Sequence, residues 1–134
     1  MSSRTVFLSR LTGLYCTLCA VAMMIHKATI LPAIVGLIHD SPLMFVFGLV
    51  MLAAGLAMVL AHNVWSGATA VIVTLVGWGT LIKGLLLLFL TPEAEANLVL
   101  RNLRYQDLFY VYAGASLVIG LYLTYAGFRT ARQR

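Results

Sequence analysis

The stretch TLVGWGTLIKGLLLLFL (residues 74–90) decides the fold class and also poses the main question. It is long and apolar enough to cross a bilayer as a helix, which takes about 17–25 residues. Yet Lys83 stands inside it. Runs of the same kind lie at residues 8–26, 42–61 and 108–127, and the quoted stretch belongs to a fourth at 68–90. Hydrophobic residues make up 62% of the 134 and charged residues only 10%, too few to cover a soluble surface. The pattern predicts an all-α, polytopic membrane protein: one domain of four transmembrane helices.

The connections carry their own signals. The first apolar run is long and lacks a clean small-residue cleavage site, so it reads as a retained span. Residues 27–40, KATILPAIVGLIHD, are too short to cross again and read as a short outer-side segment. The second span starts at DSPLMF, where Asp40 or Ser41 can cap and Pro42 suits the first helical position. Trp65, in the turn HNVWSG, reads as an interfacial anchor, and Arg10 and Arg129 read likewise at the ends of the first and last spans.

Residues 91–106, TPEAEANLVLRNLRYQ, differ in kind. Thr91 can cap, Pro92 follows it, and Glu93, Asn97, Arg101 and Arg104 recur at helical spacing opposite Ala96, Val99, Leu100 and Leu103. This predicts an amphipathic surface helix over about 92–105.

Four spans return both termini to one side. That side carries Arg4, Arg10, Arg129, Arg132 and Arg134; the other carries Lys27, Arg101, Arg104, Lys83 if it reaches out, and all four acidic residues. The positive-inside rule then favours cytoplasmic termini. The net charge of +5 is spread over helix ends rather than gathered in a patch, so no nucleic-acid partner is expected.

Small residues form stripes: Ser9, Gly13, Thr17 and Ala20 in the first span; Gly77, Thr80 and Gly84 in the third; Ala113, Ser116, Gly120, Thr124 and Gly127 in the last. Such stripes are the usual seams of helix packing in lipid. Lys83 neighbours one of them. A charge inside a membrane is expensive and calls for a partner, with Asp107 the first choice and Asp40 the second. The candidate site is therefore a polar pocket of Lys83, Asp107, Asp40, His26 and His39, on the side away from the termini.

Cys16 and Cys19 have CxxC spacing but lie inside a span, where cysteine behaves as a small hydrophobe. Met23, Met24 and His26 are close together, but His62 is at the opposite side and cannot join them as a metal ligand. The chain contains no HExxH motif, P-loop, dinucleotide fingerprint or nucleophile elbow. No catalytic residue, cofactor or metal is predicted.

The segment HNVWSGATAVIVTLVGWGTLIKGLLLLFLTP (residues 62–92) resembles a signature of small four-span bacterial inner-membrane proteins of uncharacterised families. His62, Asn63, Trp65, Thr74, Gly77, Trp78, Lys83, Gly84 and Pro92 carry the likeness. It implies a bacterial inner membrane and brings no mechanism with it. Three functions fit these readings: a non-enzymatic accessory or assembly component, a carrier or channel for a small solute, and a membrane enzyme or binding protein for a lipid or quinone. The first is favoured, with membrane lipids and either a second copy or a larger membrane protein as partners.

Overall fold

The computed structural model describes residues 2–102, 104 and 107–130. Every element in it is helical: α1 (Ser3–Ile25), α2 (Lys27–His39), α3 (Ser41–Ala61), α4 (Ala68–Phe89), α5 (Pro92–Ala96), a π-helical segment (Asn97–Asn102) and α6 (Phe109–Arg129). Four of these, α1, α3, α4 and α6, are long and apolar enough to cross a membrane.

Local chemistry explains most of the boundaries. The Ser2 hydroxyl accepts from Thr5 N–H, so α1 begins earlier than its apolar run. Asp40 accepts from Leu43 N–H at 3.1 Å and starts α3, with Pro42 in its first turn. Thr91 caps α5 in the same way, followed by Pro92. Gly67 precedes α4 with φ +86°, a conformation that disfavours any side chain. The segment after span three is α-helical only to Ala96 and then widens into the π-helical segment. Its polar residues Glu93, Asn97, Arg101 and Arg104 are exposed. Leu103 and the side chains of Val99 and Leu100, which belong to the expected apolar face, lie outside the described residues, as do Arg132 and Arg134.

The long helices pack as two antiparallel pairs. α1 lies along α6 and α3 along α4, and a much thinner contact of α4 with α1 and α6 joins the pairs. Glycine makes each seam. A Cβ on Gly13 would stand 2.5 Å from Thr124 N, one on Gly120 2.7 Å from Thr17 N, and one on Gly127 2.8 Å from Arg10 Cγ. In the other pair, a Cβ on Gly55 would meet Leu81 N at 2.4 Å, and one on Gly84 would meet Leu52 N at 2.5 Å. Along each seam the partner's number falls as the glycine's rises, as antiparallel helices require.

The buried small residues recur every seven positions: Gly48 and Gly55; Ala70, Gly77 and Gly84; Ala113, Gly120 and Gly127. Seven residues are two turns at 3.5 per turn, the period that keeps one face on a partner through a left-handed supercoil. The seam stripes expected in spans one, three and four are thus present, and span two contributes Gly48 and Gly55 as well. Gly79 lies off the seam, with nothing within 4 Å of its Cβ position.

Several hydroxyls near the seams find carbonyl acceptors. Thr17 donates to Gly13 O and Thr124 to Gly120 O, each at 2.8 Å. Ser9 instead crosses the seam to Leu123 O at 2.8 Å. Arg10 donates from Nε to Gly127 O at 3.0 Å and stacks over Phe128. It places a cation on the carbonyl end of α6, where the helix dipole favours one.

The glycines divide cleanly for mutation. Gly55→Ala and Gly84→Ala each drive a methyl into facing backbone and should destabilise the protein in detergent by about 1–3 kcal/mol. Gly79→Ala should be neutral or stabilising, because a helix gains by about 1 kcal/mol when glycine becomes alanine in open space. Thermal unfolding of the three variants checks this; equal losses at all three would refute the seam.

Candidate functional site

Polar groups gather at both ends of the bundle, in different ways. At the end that holds Ser2 and Thr130, the centre is His62, the residue that closes α3. It is 3% exposed, and both of its ring nitrogens are engaged. Nε2 lies 2.9 Å from Thr5 Oγ1 on α1, and Nδ1 lies 3.2 Å from Thr74 Oγ1 on α4.

The donors can be assigned from the rest of the network. The Thr74 hydroxyl donates to Val64 O at 3.0 Å and accepts from Val64 N–H at 3.2 Å. Its one proton is spent, so His62 Nδ1–H must be the donor to it. In a neutral ring Nε2 then accepts from the Thr5 hydroxyl, which in turn accepts from Ser2 Oγ at 2.8 Å. Every group in the chain Ser2–Thr5–His62–Thr74–Val64 is satisfied. The network ties α1 to the α3–α4 turn, where the two helix pairs otherwise touch thinly. Nearby, Trp65 is exposed and its indole N–H donates to Asn63 Oδ1 at 2.8 Å. Arg129 rests against Tyr125, with its guanidinium 5.8 Å from the ring centroid.

At the opposite end the five residues of the expected pocket each have local surroundings. Asp40 caps α3, and His39 donates from Nδ1 to Val35 O at 2.8 Å. Asp107 pairs with Arg104 at 3.4 Å, both side chains well exposed, a geometry of little energetic worth. His26 is exposed where α1 passes into α2, and its side chain makes no cap to α2. Lys83 is on the exposed side of α4. Among the described residues, no hydrogen bond or ion pair joins two of the five.

A further carboxylate at this end is Glu95 in α5. It is 4% exposed, and among the described residues its Oε2 has no hydrogen-bond partner. Burial pushes the Glu95 carboxyl above the usual glutamate range, and the Lys83 charge pulls the other way. Sequence reasoning missed Glu95 because the 92–105 pattern, read as one regular helix, sets its water-facing side through Glu93, Asn97 and Arg101. The packing of α5 against α2 is what buries its neighbour. Sequence reasoning named His62 and Thr74 among the residues that carry the family likeness, but gave His62 no hydrogen-bond partner. Among the described residues, no three His, Cys, Asp or Glu side chains are placed to hold a metal.

These features define an all-helical protein with four helices long and apolar enough to cross a membrane, a hydrogen-bonded latch at one end and a buried carboxylate at the other. Comparison of the chain with protein-family models, curated proteins and solved structures gives no match.

Two outcomes follow. Removing the ring in His62→Ala takes the acceptor from the buried Thr5 hydroxyl and one donor from Thr74, and should cost about 1–3 kcal/mol; a double-mutant cycle with Thr5→Val should show the two losses strongly non-additive. For Glu95, a raised folded pKa means that its stabilising contribution is complete below the unfolded value. That contribution is lost as pH rises through the folded one. Glu95→Gln should therefore raise the melting temperature above neutral pH and flatten its pH dependence. Melting curves between pH 4 and pH 9 in detergent (roughly spanning the glutamate range) check it; a variant that melts lower than the parent at high pH would refute it.

Proposed function

We propose that the protein is a non-enzymatic accessory or assembly component of a bacterial inner membrane, with both termini cytoplasmic, in contact with lipid and with a second copy or a larger membrane protein. The observation that carries this reading is the free face of α4. Lys83 is exposed there, about 10 Å of helix from the end of the span, and open Gly79 lies one turn before it. A lysine at that depth is costly against lipid tails alone. A glycine beside it offers another helix the close approach that glycine already provides inside each pair. The lysine stem can also rise toward Glu95, so a partner helix would complete an environment that this chain begins.

The seams weigh against a conduit. Along α1 with α6 and along α3 with α4, glycine lets backbone meet backbone, which leaves no lumen between those helices. A carrier or channel would need its path elsewhere. The reading as a lipid-binding protein has one specific observation in its favour, the groove at Lys27 described below.

Orientation and assembly are tested separately. With Cys16 and Cys19 replaced by alanine, Ser66→Cys should resist a membrane-impermeant maleimide in intact cells and Glu93→Cys should react. The reverse pattern would overturn the orientation. Gly79→Leu should reduce the assembly in native-lipid nanodiscs to a monomer without lowering the melting temperature. A protein that is monomeric before mutation, in nanodiscs drawn directly from its membrane, would overturn the assembly reading.

A further inference from the structure

Away from the termini, the end of α1, the start of α2 and the start of α6 enclose an open groove of about 460 Å³, within the size range of small-molecule sites. Its walls are apolar: Met24, Ile25, Leu31 and Pro32. Its polar equipment is specific. Lys27 is half-buried, and its Nζ lies 4.4 Å from the Tyr110 ring centroid and 5.8 Å from that of Phe109. These rings hold the ammonium at the groove by cation–π attraction while leaving N–H donors free. No carboxylate among the described residues pairs with Lys27; Asp40 is engaged at α3 and Asp107 with Arg104. Pro32 adds an acceptor. It has no N–H to return to the carbonyl one turn back, so the Ala28 carbonyl, in the groove's own lining, lacks its helical donor.

We propose that this groove binds an anionic glycerophospholipid whose head group also carries a hydroxyl donor. The phosphate takes the Lys27 ammonium and the Tyr110 hydroxyl, a head-group hydroxyl serves the Ala28 carbonyl, and one acyl chain lies along Met24, Ile25, Leu31 and Pro32. The groove sits where α1 and α6 leave their apolar spans, which is the level of lipid head groups. A free phosphate would gain the cation but leave the apolar walls uncovered. A neutral zwitterionic lipid would bring its own cation to a site already holding one. The site is independent of the assembly reading, since none of its residues is on the Lys83 face of α4.

The test is a lipid titration of the purified full chain in detergent, read as the melting temperature. Phosphatidylglycerol should raise it saturably, whereas phosphatidylcholine and inorganic phosphate should not. Lys27→Gln should need about fivefold more phosphatidylglycerol for half the effect, the loss of about 1 kcal/mol for one lysine at a charged lipid surface. Leu31→Trp, which fills the groove and keeps the charge, should abolish the response, and it decides the question if Lys27→Gln does not fold. Arg101→Gln, a change to an exposed cation elsewhere at the same end, should respond like the parent. The proposal is overturned if the parent does not respond, if phosphatidylcholine or inorganic phosphate gives the same rise, or if Leu31→Trp responds unchanged.

Discussion

Close contact between helix backbones at glycine is the constraint on which the rest of this structure depends. Lipid tails are as apolar as leucine, so burying leucine against leucine gains little when helices associate in a membrane. What remains is dispersion between surfaces that truly touch, and weak Cα–H···O contacts that need backbones near each other. Gly13, Gly120 and Gly127 provide that approach between α1 and α6, and Gly48, Gly55, Gly77 and Gly84 provide it between α3 and α4. Each glycine gives up some helix propensity for it. The seven-residue spacing then repeats the contact along the pair rather than at a single crossing.

With the pairs made this way, polar groups do the remaining organisation. Hydroxyls of Thr17 and Thr124, next to a seam, bond back into their own helices. The Ser9 hydroxyl and the Arg10 Nε–H instead donate across the seam to carbonyls of α6. His62 reaches furthest, from the end of α3 to α1 and α4 together. The two pairs share few contacts in all, which makes one imidazole that bonds to both a determinant of how they sit against each other. The opposite end is held differently, by α2 folding down between α1 and α3 and touching α5.

That second end shows why a candidate site was only half legible. Lys83 is visible in any hydropathy scan, and the demand for a partner follows from the cost of its charge. The partner's identity does not follow, because all four acidic residues lie toward the same end and sequence distance cannot rank them. Asp107 is nearest the start of a span but is satisfied within its own turn by Arg104. Glu95 lies on a short helix whose burial depends on α2, an element sixty residues earlier, and its unpartnered oxygen is a tertiary fact. The Lys27 groove is of the same kind: Met24, Leu31 and Tyr110 become neighbours only when α1 turns into α2 beside α6.

The sequence by itself determined the number of long apolar helices, their approximate limits, the caps at Asp40 and Thr91, and the stripes on which small residues fall. These follow from composition, from a period of 3.6 and from the chemistry of one turn, all of which are local. Only the tertiary structure decided that α1 pairs with α6 and α3 with α4, that His62 joins them, and that Glu95 is buried against its surroundings while Asp107 pairs with Arg104. The physical reason is that helices in an apolar medium have no dominant burial term to choose their neighbours. The choice falls to close-fitting surfaces and single hydrogen bonds between residues distant in the chain, which no local pattern records.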